Sequence, residues 1–268
     1  MLPLLPLDKS FAHAVGASDM AALSRKCNFL VPSAFYYEIF DTKPAVKRRQ
    51  TLAGLESFRR IDIDSLIRQE MATGQPIGEV KAPELQFNPK VLDPAWVLSN
   101  DEAAVQKQYE EHVVMPALAF WGDVIKERQV IGFSTEELKA TAAPPQEFTA
   151  LCQLLCAPER IRSIATQLSW PHATALDENW FYFRRLQALV LQALILLRRH
   201  QRTGDIVSER RLEHDVHDVE YLTLGLITGH LATNEVSNDF NNFSLQWRFR
   251  LFRPSGVLVT PANLKTLL

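Results

Sequence analysis

Two short apolar runs near the amino terminus, Leu4-Leu5-Pro6-Leu7 and Phe29-Leu30-Val31, constrain this chain more than any other feature. Between them Ser18 and Asp19 can cap a helix running through Ala21, Ala22 and Leu23, and Pro32 breaks the second run. The pattern reads as strand, helix, strand. Ser33 can then cap another helix, in which Phe35, Tyr36, Ile39 and Phe40 share one face at helical spacing, with Glu38 at its edge. Such an opening belongs to an α/β layer.

The 268 residues could make one large domain or a small one carrying a big insertion. With 47% hydrophobic and 22% charged residues, neither disorder nor a fibrous class is indicated. The 29 Lys plus Arg against 31 Asp plus Glu give a net charge of -2. That excludes bulk basicity, so any nucleic-acid contact must be local. Cys27, Cys152 and Cys156 form no paired framework, which fits a reducing, cytoplasmic compartment. The first seven residues lack the basic region and cleavage site of a signal peptide. The apolar run from Ala188 to Leu197 is far shorter than the roughly 20 residues a membrane helix needs. It reads as a buried core helix, and no membrane association is expected.

Further helical patterns cover Ala45 to Phe58 and Asp62 to Met71. From about 73 to 95 periodicity is lost around Pro76, Pro83, Pro89 and Pro94, which reads as a surface loop. A charged helical pattern spans Asn100 to Arg128 with Pro116 inside it, and helices follow near 146–156, 158–168 and 177–200. A late helix near 215–228 leads to a short strand at His230-Leu231-Ala232-Thr233. A helix is then expected from about Val236, and Arg248-Phe249-Arg250-Leu251-Phe252 alternates like a strand.

Asp8 falls just past an apolar strand, and the carboxyl ends of parallel strands line ligand crevices. Glu38 lies on the helix after the second strand. Asp218 is expected to begin the late helix, with Asp215 one turn earlier, and Thr233-Asn234-Glu235 follows the next strand. Hard cations such as Mg²⁺ favour carboxylate and water oxygens, so an open site with several acids suits them. Packed like charges also resist joint ionisation without a cation.

In this order and spacing the chain resembles the PIN-like nuclease family. The resemblance rests on Leu5-Pro6-Leu7-Asp8-Lys9-Ser10, on Val31-Pro32 with Glu38-Ile39-Phe40, on His214-Asp215-Val216-His217-Asp218-Val219-Glu220-Tyr221, and on Leu231-Ala232-Thr233-Asn234-Glu235. It implies a PIN-like doubly wound α/β sandwich with a small parallel sheet. Residues 1–268 would form a single such domain, built from about 1–72 and 206–268, with a large helical insertion at about 73–205. It also implies Mg²⁺- or Mn²⁺-dependent cleavage of a phosphodiester, with RNA as the expected substrate and DNA as the alternative. Asp8, Glu38 and Asp218 match the first three acids of the family, and Glu235 stands where many members carry Asp or Asn. Asp215 competes for the third or fourth place, and Asp239 lies close in sequence to the fourth. Thr233 would orient water or a phosphate oxygen, and Ser10 and Lys9 would sit near the scissile phosphate. A homo-oligomer or a protein partner fits equally.

Two other classes compete. One is a PIN-like interaction scaffold without catalysis, left open by Glu at position 235. The other is an HD-type metal phosphohydrolase, suggested by His214-Asp215 and His217-Asp218, but that class is all-helical. Arginine doublets at 48–49, 59–60, 184–185, 198–199 and 210–211, with Arg248, Arg250 and Arg253, read mostly as solvated helix faces. Lys47 to Arg49 could touch phosphates. Trp180, Phe181 and Tyr182 open an apolar helix, and core burial outweighs base stacking there.

Overall fold

A computed structural model describes residues 4–40, 58–77, 107, 111, 115, 119, 132–203, 209–235 and 243–267. The expected helix over 45–57, most of the 73–95 loop and of the 100–128 helix, Lys47 to Arg49, the segment from Val236 and Asp239 lie outside them.

Three parallel strands form the amino-terminal half of the layer: β1 (Leu4–Pro6), β2 (Asn28–Pro32) and β3 (Phe58–Ile61). Helices α1 (Lys9–Ala14) and α2 (Ala17–Ser24) cross from β1 to β2, and α3 (Ser33–Phe40) follows β2. Two further parallel strands, β4 (His230–Ala232) and β5 (Val257–Val259), pair with each other. A parallel bridge from Leu7 to Ala232 joins the two sets, and the Asp8 amide donates to the Ala232 carbonyl at 3.0 Å. The resulting order across the layer is β3-β2-β1-β4-β5.

β2 is central, and Phe29, Leu30 and Val31 are wholly buried. Successive strand residues point to opposite faces. Leu30 accordingly joins a cluster with Ile61, Ile63, Leu66, Phe181 and Leu224, whereas Phe29 and Val31 belong to the larger cluster holding Phe11, Met20, Leu23 and Phe35. Both faces of the layer are therefore covered.

After β3, Asp62 caps α4 (Ile63–Thr73) by accepting from the Ser65 amide. The described central residues are helical, in α5 (Thr135–Lys139), α6 (Pro145–Leu155), α7 (Pro158–Gln167) and α8 (Phe181–Thr203). They are not a detached unit: Phe148, Leu155 and Ile161 lie in the same cluster as Leu5 and Phe29. The apolar stretch of α8 is buried as expected, and no helix among the described residues is long and apolar enough to cross a membrane. Against α8 runs α9 (Glu209–Thr228), whose Leu212 packs with Ala193, Leu196 and Leu197. Gly229, at φ +72°, turns α9 into β4, a conformation that glycine adopts without a Cβ penalty. Between β4 and β5 lies α10 (Leu245–Phe252), and α11 (Leu264–Leu267) is the last described element.

Several local expectations are corrected. Residues 248–252 are helical: Ser244 accepts from the Trp247 amide, and Leu245, Arg248 and Phe249 form a buried i, i+3, i+4 face that a five-residue alternation cannot reveal. The late helix begins at Glu209, so Asp218 lies inside it and not at its start. Phe58 opens a strand. Neither β3 nor β5 was anticipated, because three- and four-residue strands carry almost no periodicity. Arg184, Arg198 and Arg248 are buried and not solvated.

One long-range contact orients α8. Glu70, fully buried on α4, accepts hydrogen bonds from the backbone amides of Phe181 (2.8 Å) and Tyr182 (3.0 Å). These are donors that the first turn of a helix cannot satisfy internally. Glu70→Gln would turn an amide N–H₂ towards those donors. We expect it to cost roughly 1–3 kcal/mol, read as a lower urea midpoint at unchanged slope.

Candidate functional site

Asp8 stands immediately beyond β1, at 6% exposure, and caps α1: its Oδ1 accepts from the Ser10 amide at 3.1 Å. Its Oδ2 accepts from the Ser10 hydroxyl and, at 2.7 Å, from the Thr233 hydroxyl, which is fully buried beyond β4. Thr233 Oγ1 in turn accepts from the Glu235 amide at 3.0 Å, and Ser10 Oγ accepts from the Asn234 amide at 3.1 Å. The sequence-expected residues Asp8, Ser10 and Thr233 thus form one hydrogen-bonded knot at the carboxyl edge of the layer. Lys9 is half-buried at the first position of α1.

The charges of the other expected acids reach this knot, but among the described residues none of them joins Asp8 in a group of three ligating atoms within 4.8 Å. Burial is the largest influence on Asp8, followed by the charge of Glu38; with Glu235 contributing as well, its carboxyl is raised to about 7. Asp218 is pushed well above the usual range by burial, against the lowering effect of Arg248, and the carboxylates of Glu235, Asp215 and Asp8 push the same way. Glu235 is exposed, and its Oε2 accepts from the Leu245 amide at 3.3 Å. Asp215 is engaged differently. Its Oδ2 lies 2.8 Å from Arg199 Nη1 and its Oδ1 3.4 Å from Arg248 Nη2, so two guanidinium groups balance it. Arg248 also reaches Asp218 Oδ2 at 3.1 Å through Nη1 and donates from Nε to the Phe243 carbonyl at 2.7 Å.

Helix α9 supplies two stripes to this region. Asp215 and Asp218 face Arg248 of α10, while His214, His217 and Tyr221, at i, i+3 and i+7, face Glu38 of α3. Tyr221 donates its hydroxyl to Glu38 Oε2 at 2.5 Å, and the Nδ1 atoms of His217 and His214 lie 3.5 and 3.8 Å from Oε1. Burial alone would raise the Glu38 carboxyl, but His214, His217 and Tyr221 together hold it well below the usual carboxylate range. Tyr221 and Arg248 escaped the sequence reading. Helical spacing from His214 through His217 to Tyr221 was the available signal for the first, and nothing local marked the second. Glu220, on the same helix, accepts from the Ala34 amide at 3.0 Å and so fixes the start of α3, hence the position of Glu38.

No family model, curated protein or solved structure matches this chain. The chemistry of the site therefore rests on its own residues.

A carboxyl raised from 3.8 to about 7 corresponds to roughly 4 kcal/mol of preference for the neutral form. Unfolding lowers that pKa, so the native state holds the extra proton between pH 4 and pH 7, and stability falls as pH rises through this window. In chelator-containing buffer, Asp8→Asn should raise the melting temperature at pH 8 by several degrees and have a smaller effect at pH 5. Thermal unfolding at the two pH values checks the difference.

Proposed function

We propose that this chain is a metal-dependent phosphodiesterase, an endonuclease that hydrolyses RNA in the manner of the PIN-like family, with Mg²⁺ or Mn²⁺. One observation supports the reading: at the carboxyl edge of a parallel layer Asp8 is hydrogen-bonded to Thr233 from the other end of the chain, within reach of the charges of Glu38 and Glu235, and Asp218 lies within reach of the charges of Glu235, Asp215 and Asp8. The strand order β3-β2-β1-β4-β5 with helices on both faces supports the doubly wound fold that the resemblance implies.

The donor chemistry suits a hard cation: the Asp8 and Asp218 carboxyls, raised by burial and by neighbouring acids, gain from an added positive charge, and carboxylate oxygens are the ligands such an ion prefers. Asp8, Asp218 and Glu235, with Glu38, would have to draw together to hold it, since among the described residues the only three ligating groups within 4.8 Å of one another are Glu38, His214 and His217. When bound, it would polarise a phosphoryl oxygen and make an attacking water more acidic. The protein's part is orientation. Ser10 and Thr233 fix the Asp8 carboxylate with three donors, which leaves it one lone-pair site to offer. Exposed Glu235, with its amide on Thr233, sits on the solvent side of the knot.

A second reading has a specific observation behind it. The Arg248 guanidinium already neutralises Asp218, as expected of a scaffold that keeps the fold and has given up catalysis. The HD-type alternative is weaker, because Asp215 is occupied by Arg199 and Arg248.

The readings separate in two measurements. Mn²⁺ at about 100 times its dissociation constant should stabilise the folded protein by roughly 2.7 kcal/mol, and Asp8→Asn should abolish most of that. Cleavage of single-stranded RNA should require the ion and fall roughly 100-fold or more in Asp8→Asn and in Asp218→Asn. Cleavage that survives both substitutions would overturn the assignment; absence of both ion response and cleavage favours the scaffold.

A further inference from the structure

Glu38, His214 and His217 form a constellation with different chemistry from the all-oxygen cluster beside it. One ligand-capable atom from each lies within 4.8 Å of the other two. We propose that these three residues bind a Zn²⁺-class dication, at a site that shares Glu38 with the acid cluster but does not depend on the nuclease reading.

The distances suit an ion shared by the three side chains as well as direct pairing. At 3.5 and 3.8 Å, the two Nδ1 to Oε1 separations exceed a good hydrogen bond. Two ligands each about 2.0–2.1 Å from one tetrahedral ion lie about 3.3 Å apart, so the two carboxylate–imidazole edges need contract little, and the imidazole–imidazole edge starts within 4.8 Å. Imidazole nitrogen with one carboxylate is a donor set for zinc and its neighbours in the first transition row, and not for Mg²⁺.

The surroundings are those of a built site. His217 is 4% exposed, Glu38 is 11% exposed and His214 is 51% exposed, so the constellation has a rigid floor and one adjustable, solvent-facing ligand. The two histidines are one turn apart on α9, which fixes their spacing without loop entropy. Tyr221, a further turn along, holds Glu38 Oε2 and thereby aims Oε1 at the imidazoles. Ligating carboxylates commonly have such an outer partner, and its loss typically weakens binding about 10–100-fold. Three protein ligands with an open side leave a fourth position for water.

The test uses Co²⁺ as a spectroscopic stand-in for Zn²⁺, followed by visible absorption on the full chain. Metal content after dialysis against Zn²⁺ gives an independent count. The expected result is one histidine-ligated ion per chain, with a low-symmetry Co²⁺ spectrum, retained in Asp8→Asn and Asp218→Asn. It should be lost in His217→Ala and weakened about tenfold or more in Tyr221→Phe. Because His217 is buried and its loss could impair folding, exposed His214→Ala is the decisive variant, and it should also lose the spectrum. An unchanged spectrum and stoichiometry in His214→Ala would overturn the proposal, as would loss of the ion in Asp8→Asn with both histidines intact. Failure of RNA cleavage leaves this outcome untouched, so the two readings fall separately.

Discussion

The hydrogen bond from Thr233 to Asp8 joins residues 225 positions apart, and the geometry of the site follows from it. A carboxylate at 6% exposure is costly to desolvate, so it must be met by donors, and those donors come from both sides of the layer. Ser10 belongs to the helix that leaves β1, and Thr233 to the turn that leaves β4. With the bridge between Leu7 and Ala232, this contact fastens the two strand sets into one layer. It also brings the amides of Asn234 and Glu235 towards the same point.

The same device recurs away from the site. Glu70 meets the first amides of α8, and Glu220 meets the start of α3, each from a helix remote in sequence. Helix starts carry unsatisfied donors and a partial positive charge, so a buried carboxylate there specifies which helix end belongs where. In each case desolvation raises the carboxyl and the backbone donors pull it back. Arg248 is the cationic counterpart. Buried against Phe243 and held between Asp215 and Asp218, it sets how much negative charge α9 presents to the site. The helical middle is implicated too, since Phe148 of α6 packs edge-on against Phe243 at 5.4 Å, next to α10.

What was legible in the sequence was whatever is encoded locally. β1, β2 and the turn-and-strand at 230–232 are apolar runs with polar stops, and Asp8 and Thr233 are readable because each follows such a run. The long apolar helix was equally plain. β3 and β5 were not, because Phe58–Ile61 and Val257–Val259 are held in place by neighbours and not by pattern. The segment 248–252 shows the opposite failure: its alternation is real, but the Ser244 cap and the packing of Phe249 decide for helix. Arginine was misjudged for a physical reason. Sequence prices a guanidinium as solvated, and only tertiary structure reveals the carbonyls and carboxylates that let Arg184, Arg198 and Arg248 be buried.

A knot tied between the two extremities has a bearing on how the polypeptide matures. Ribosomes release the amino end first, and domains tend to fold as units once they are complete. β1 and β2 can pair early, but the partner hydroxyl of Asp8 is translated more than two hundred residues later. Until then the edge of β1 that awaits β4 is an unpaired strand edge of the kind that recruits stray chains. The aspartate beyond its tip is hydrated and charged while it waits, and charge beside an open strand edge disfavours such pairing. Asp8 surrenders its water only when β4 arrives.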